Sequence, residues 1–273
     1  MTTVLHVSDL HFGKPAVPDQ IDAIEALIQE GKFDVVAISG DLSQRARAGE
    51  LLRARAFLRD AQRVSRTIVV PGNHDVKWWR APIGIGRKES IYEAYRTYVS
   101  GDLEPVLRVP GATFVGLNTA HGVTRHTLTW SMRDIGVVGD LRRRQIEYAR
   151  RVFAESPAED IRVIVMHHNP LKGEISQRHG LVNTKRVLGA FAELGVDLVL
   201  CGHDHQEAIH YVEHTKKGTV VSTAGTVSNR SRGGRPSSLN IISLSTSNIE
   251  VLTLIWSSRE RTFVRGPVRS FAR

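Results

Sequence analysis

The chain has 273 residues, with 37 Lys+Arg against 28 Asp+Glu and a formal charge of +9. Its 41% hydrophobic and 24% charged residues exclude a disordered chain or a collagen-like repeat, and a chain of this length buries roughly three quarters of its unfolded surface without staples. The lone Cys201 excludes an intramolecular disulfide and fits a reducing compartment.

Residues 4–8 (VLHVS) read as a buried strand running into a polar loop. Asp19 is placed to cap a helix over 20–30, whose Ile21, Ile24, Leu27 and Ile28 recur at helical spacing. DVVAISGD (34–41) is a second strand that stops at Gly40-Asp41. A basic amphipathic helix follows near 47–61, with Leu51, Leu52, Ala56, Leu58 and Ala61 turned inward. TIVV (67–70) is a third strand, ended by Pro71-Gly72. This alternation predicts an α/β sheet with right-handed crossovers.

Residues 76–110 interrupt the rhythm and read as a cap or specificity insertion. They hold Trp78, Trp79, Gly84, Gly86 and a helical stretch around 88–99. The rhythm returns with a strand at 112–119, a helix near 140–155, a strand at 161–167, a helix near 183–194 and a strand at 197–202. From 207 on the chain is mostly strand, in EAIHYV, TVVSTAG, SLNIISLS and NIEVLTLIW. No repeat or dividing linker interrupts residues 1–273, so one domain is expected, with a basic tail at 257–273. That tail carries Arg259, Arg261, Arg265, Arg269 and Arg273 beside Glu260. It reads as a solvated terminal strand, as a track for nucleic acid or other anions, or as the seam of a homodimer. No apolar run reaches the roughly 18 residues of a membrane span, and Asp9 and His11 leave no room for a signal peptide. A cytoplasmic protein is expected.

The strand ends carry the chemistry. In order they are Asp9-x-His11, Gly40-Asp41, Gly72-Asn73-His74-Asp75, His167-His168 and Gly202-His203-Asp204-His205. Ligand sites of α/β sheets lie beyond the carboxyl ends of strands, so these tips can converge. Positions i and i+2 of a strand share a face, which would aim Asp9 with His11, and His203 with His205, at one place. Asp9, His11, Asp41, Asn73, His167, His203 and His205 make seven oxygen or nitrogen donors without a thiolate. Seven is too many for one tetrahedral zinc. It suits two divalent ions about 3.5–4 Å apart that share a carboxylate. The mixed donor set suits Mn, Fe or Zn better than Ca or Mg.

The series D-x-H, G-D, G-N-H-D, H and G-H-x-H resembles the calcineurin-like metallophosphoesterase superfamily. The matching motifs run from residue 9 to residue 205. The resemblance implies a four-layer αββα sandwich of two mixed sheets flanked by helices. It implies a first metal on Asp9, His11, Asp41 and His205, and a second on Asp41, Asn73, His167 and His203. His74 would be the outer histidine that binds a phosphate oxygen or protonates the leaving group. His168 would support His167. Asp75 would orient His74 or serve as a turn residue. Two such ions bring the pKa of a shared water toward neutrality and yield a hydroxide nucleophile for phosphoester hydrolysis.

Specificity is less legible. The protein-phosphatase branch carries G-D-x-V-D-R-G, and here Gln44 stands in place of its second Asp. Ser8-Asp9-Leu10-His11 and His167-His168-Asn169-Pro170 are more similar to bacterial cyclic-nucleotide phosphodiesterases, so a small phosphodiester such as a 3′,5′-cyclic nucleotide is the expected substrate. A nuclease acting on DNA or RNA, a hydrolase of nucleotide-linked lipids and a protein-binding scaffold are the other readings. Trp78, Trp79 and Tyr92 are candidates for a stacking wall or for core packing. Arg230, Arg232 and Arg235 are candidates for a phosphate clamp or a surface loop. Asp204 is expected to face solvent. His6, His121, His126, His179, His210 and His214 are taken as ordinary core or surface residues.

Overall fold

The computed structural model describes residues 1–78, 88–124, 127, 136–175, 180–215 and 217–273. Two mixed six-stranded sheets form its centre. The first contains β1 (Thr2–Val7), β2 (Val35–Ile38), β3 (Arg66–Val69), β10 (Ser238–Leu244), β11 (Asn248–Ser257) and β12 (Thr262–Ala272), in the order β12-β11-β10-β1-β2-β3. The second contains β4 (Val106–Val109), β5 (Ala112–Leu117), β6 (Ile161–His168), β7 (Leu198–Gly202), β8 (Ala208–Val212) and β9 (Thr219–Thr223), in the order β4-β5-β6-β7-β9-β8. Strands β1, β2 and β3 run parallel, as do β5, β6, β7 and β9. Helices α1 (Pro18–Glu30), α2 (Ala48–Gln62), α3 (Glu93–Tyr98), α4 (Arg143–Ala154) and α5 (Thr184–Glu193) flank them.

The four layers follow from strand alternation. In β1, Leu5 and Val7 join Ile24, Ile28, Phe57 and Leu58 of the helices on one face. Val4, the residue before Leu5 and so on the opposite face, faces the second sheet with Val35, Phe114, Val163 and Leu200. On the far side Ile164, Met166 and Val199 pack against Phe153 of α4 and Phe191 of α5. Each such side chain contributes about 1.5–3 kcal/mol by burial.

Two local expectations change. Helix α1 begins at Pro18, whose fixed φ and missing N–H suit the first helical position; Asp19 lies inside the first turn and does not cap it. Its carboxylate pairs with Arg261 at 2.7 Å. Helix α2 buries Leu51, Ala54, Phe57, Leu58 and Ala61, while Leu52 and Ala56 face outward. Phe57 sets that rotation, since the largest apolar side chain takes the core. The basic segment at 257–273 contains the long edge strand β12, paired with β11. Its register shifts opposite Thr253, where Gly266 and Pro267 would otherwise break the ladder. Within 76–110, Tyr95 of α3 is fully buried and β4 joins the second sheet. Among the described residues no helix is long and apolar enough to cross a membrane.

Candidate metal centre

Asp9 and His11 follow β1, Asp41 follows β2, Asn73–Asp75 form a short helical turn after β3, His167 and His168 end β6, and His203 and His205 follow β7. The side chains do not converge by strand alternation, because six of the seven donors lie past a strand end and only His167 lies within one. They converge because Asp9, His11, Asp41, His203 and His205 all adopt left-handed backbone, with φ of 55°, 46°, 51°, 74° and 56°. Positive φ is costly for residues with a Cβ and persists where surrounding structure enforces it. The enforcement is visible. The amides of Asp9, His11 and Phe12 donate to the carbonyls of Gly40, Asp41 and Leu42 at 3.1, 2.9 and 2.7 Å. Gly72 and Gly202 complete it, since a Cβ on either would collide with the carboxylate of Asp41 or Asp9.

Two buried donor groups result. In the first, Asp9 Oδ1 lies 3.1 Å from His205 Nε2 and 3.6 Å from His11 Nε2, and those two nitrogens are 3.1 Å apart. In the second, Asn73 Oδ1 lies 3.1 Å from both His167 Nε2 and His203 Nδ1. Asp41 Oδ2 stands between them, 3.8 Å from His11 Nε2 and 3.4 Å from His167 Nε2. Asp9 Oδ1 and Asp41 Oδ2 are buried yet make no hydrogen bond. Buried carboxylate oxygens without donors, facing imidazole nitrogens at such distances, fit bound cations. The donor set is hard to borderline, as divalent ions of the Mn, Fe and Zn type require. This cluster of Asp and His residues suggests a dinuclear divalent-metal site.

The electrostatics agree. Burial disfavours charge on Asp9 and Asp41, but the imidazoles of His205 and His11 around one, and of His167 and His74 around the other, hold both carboxyls well below the usual range. Burial opposes charge on His167 too, yet Asp41 outweighs it and raises that ring to about 9. Burial and the neighbouring His167 push His203 down to about 3.

Main-chain carbonyls aim several rings. Ser39 O accepts from His167 Nδ1 at 2.8 Å, Arg230 O from His205 Nδ1 at 3.1 Å and Gln44 O from His74 Nδ1 at 2.7 Å. Each fixes the tautomer and leaves Nε2 toward the centre. His74 lies beside the first group, its ring 4.9 Å from that of His11 and its amide donating to Asp41 Oδ1 at 2.9 Å. His168 is buried behind the second group, its Nδ1 paired with Thr119 Oγ1 at 2.7 Å and its ring 4.6 Å from that of His203.

The structure decides between several of the expected alternatives and overturns one, the solvent-facing Asp204. The Asp75 carboxylate accepts from the Gly72, Leu42 and Ser43 amides and from Ser43 Oγ, so it braces the loops bearing Asp41 and Asn73 instead of orienting the His74 ring. Burial and the nearby Asp41 raise it to about 6. Asp204 is buried and accepts from Asn169 Nδ2 at 2.7 Å; it does not face solvent. Tyr92 is buried among Val76, Ile91 and Ala120, with its hydroxyl at Ala120 O and His121 Nδ1. Trp78 packs on the backbone of Gly122 and Gly136. Trp79, Gly84, Gly86, His126 and His179 lie outside the described residues. Arg230 reaches His74, Arg235 pairs with Glu207 and Glu174, and Arg232 contributes its amide to His205 O. The carbonyls of Ser39, Gln44 and Arg230 carry no sequence signal as supports, because main-chain acceptors are common to every residue, whereas Thr119 acts through its side-chain Oγ1.

A family profile described as calcineurin-like phosphoesterase matches residues 2–207. Comparison with curated proteins finds no match. Among solved structures, a purple acid phosphatase, PPD1, from yellow lupin (Lupinus luteus) seeds is similar with a TM-score of 0.70 and 13% identity, over 100% of this chain and 54% of that one. The chain thus spans about half the length of the lupin protein. GAP50, described as the anchor in the inner membrane complex of Plasmodium, is similar with a TM-score of 0.58 and 13% identity, over 99% of this chain and 88% of that one. At such identity the likeness concerns the fold. The family match spans all five donor-bearing strand ends, and with it this chain belongs to the calcineurin-like phosphoesterase family.

Proposed function

We propose that the protein is a metal-dependent phosphodiesterase acting on small substrates. One observation carries the reading: Asp41 Oδ2 is shared between two complete donor groups, within 3.8 Å of His11 and 3.4 Å of His167. Asp9, His11, Asp41 and His205 would hold one divalent ion, and Asp41, Asn73, His167 and His203 the other. When bound, the ions supply Lewis acidity toward water and the phosphoryl group. The chain's own contribution is preorganisation. Left-handed backbone and main-chain carbonyls hold the donors, so little reorganisation is left for the reaction. His74 stands at the edge of the centre, where a phosphoryl oxygen would meet it.

Diester chemistry is favoured by Gln44 where the protein-phosphatase branch has an acid, and by the Ser8-Asp9-Leu10-His11 pattern. Cyclic nucleotides are the first natural substrates to screen. The nuclease reading has less support, because Arg261, Arg269 and Arg273 are engaged by Asp19, Ile209 O and Asp197. Fold likeness alone decides nothing, since a phosphatase and an anchor share it. Hydrolysis of bis-p-nitrophenyl phosphate and p-nitrophenyl phosphate, by chelated protein re-supplied with manganese, tests the reading. Metal-dependent diester cleavage that is lost in Asp41→Asn and weakened in His74→Ala is expected. A monoester preference would replace the diester assignment, and inactivity with two ions bound would restore the scaffold reading.

A further inference from the structure

The loop at 225–235 is built into the donor centre. Thr226 Oγ1 and the Val227 amide donate to the Asp9 carbonyl at 2.8 and 3.3 Å, and the Asn229 amide reaches Pro15 O at 2.9 Å. Residue 230 then acts twice. Its carbonyl accepts from His205 Nδ1 at 3.1 Å. Its Nη1 donates to Gln44 Oε1 at 3.1 Å and to His74 Nε2 at 3.2 Å. A guanidinium has no acceptor, so Nε2 of His74 must accept here while Nδ1 donates to Gln44 O. The guanidinium contacts the ring of His74, whose main-chain amide donates to Asp41 Oδ1 at 2.9 Å.

A fixed cation in this place needs an anion. Two carboxylates against two bound divalent ions would leave an excess of positive charge, and a guanidinium beside them would add to it. Gln44 Oε1 and His74 Nε2 meet Nη1 without a negative charge and do not offset it. Arg230 nevertheless is held there by two side chains on separate elements. Its Nη1 is occupied, whereas no protein acceptor for Nε or Nη2 is found among the described residues. The Nε–Nη2 edge is the fork that binds a phosphate bidentately.

We propose that Arg230, positioned by Gln44 and His74, binds the substrate's non-bridging phosphoryl oxygens through its Nε–Nη2 edge and sets the affinity for the phosphoryl group. This rests on the phosphoesterase reading of the centre and deepens it. Arg232 and Arg235 are not part of the clamp.

The test uses the full-length, metal-loaded protein, with orthophosphate binding by calorimetry alongside the KM and kcat for bis-p-nitrophenyl phosphate. In Arg230→Gln, the orthophosphate Kd and the KM both rise about 10-fold, the size of one charge-assisted contact. The metal content and thermal midpoint stay unchanged, because the carbonyl that holds His205 is main chain. Gln44→Ala, which loosens the guanidinium without removing it, gives a smaller rise in the same two quantities. An Arg230→Gln protein that binds orthophosphate like the parent, or that loses metal, overturns the proposal, as does a parent that binds no orthophosphate. A parent that binds orthophosphate through Arg230 but hydrolyses no ester supports the anion site and sinks the phosphoesterase reading alone. A parent that cleaves the diester, with Arg230→Gln unchanged, does the reverse.

Discussion

Arg273 Nε donates to Asp197 Oδ1 at 2.9 Å, and this bond ties the edge strand of the first sheet to the root of β7 in the second. Asp197 is almost wholly buried and also receives Lys217 Nζ at 2.6 Å and the Arg162 amide at 2.9 Å. The remaining guanidinium nitrogens of Arg273 reach the carbonyls of Glu159 and Asp160 at 3.0 and 2.9 Å. Removing one partner of a buried charge is costly because the other is left uncompensated. Lys217 still covers Asp197, so Arg273→Ala should lose about 1–3 kcal/mol in urea unfolding. Asp197→Ala should lose more, since it strands two cations and an amide. Metal content should be normal in Arg273→Ala, because the contact is remote from Asp9 and Asp41 along both sheets.

Asp41 is the residue whose loss should separate the two donor groups. Asp41→Asn keeps the size and an oxygen but removes the anion both groups share. The expected result is fewer than two ions per chain by elemental analysis, and diester hydrolysis lower by about a thousandfold, equivalent to about 4 kcal/mol of transition-state stabilisation. In the parent, a chelator should lower the thermal midpoint and manganese should restore it, as for any ligand that binds the folded state alone. An Asp41→Asn midpoint that responds to chelator as strongly as the parent's would count against a shared carboxylate.

Much of this centre was legible in the sequence, and the reason is local. Asp9, His11, Asp41, Asn73, His167, His203 and His205 each sit at the end of an apolar run, so strand recognition alone places them on one side of the sheets. How they converge was not legible. Left-handed φ at Asp9 and His203 is imposed by neighbouring loops, and no pattern of side chains encodes it. The same holds for Asp75, whose acceptor role is toward main-chain amides of Leu42, Ser43 and Gly72. The basic segment at 257–273 reads as a terminal strand, but its pairing with β11 is not legible, because its apolar content is too sparse to alternate clearly. Leu52 and Phe57 exchanged places because periodicity fixes a helical face only to within one residue, and volume decides the rest.

Gly72 and Gly202 should be sensitive out of proportion to their size. A methyl group at Gly202 would meet Ser8 Oγ and Asp9 Oδ2, and at Gly72 it would meet Asp41 Oδ1. Neither neighbour is a flexible side-chain end, since both carboxylates are buried and fixed. Gly202→Ala and Gly72→Ala should each lose about 1–3 kcal/mol from overpacking. Metal affinity should fall as well, because the displaced atoms belong to the carboxylates of the donor groups. Gly49→Ala, in the first turn of α2 where nothing lies within 4 Å, is the control that should lose no stability and leave metal affinity unchanged.

Acid should destabilise the fold through two histidines outside the donor set. His6 is buried between the sheets with Nε2 paired to Ser39 Oγ at 2.9 Å, and burial lowers its pKa to about 3. Burial and Arg142 lower that of His121 to about 3 as well, while its Nε2 faces Gln145 Oε1 at 3.2 Å. Both are depressed below the ordinary value of about 6.5 that they regain on unfolding. Between about 6.5 and 3 the unfolded chain therefore binds more protons than the folded one, and stability falls as pH drops through that window. Above about 6.5 neither state is protonated there and the contribution is flat. Urea unfolding of the parent and of His121→Asn at pH 7.5 and 5.0 should show a smaller loss on acidification in the variant, by about 1–2 kcal/mol. An equal loss in both would mean that His121 takes up its proton without opening the Tyr92–His121–Gln145 chain.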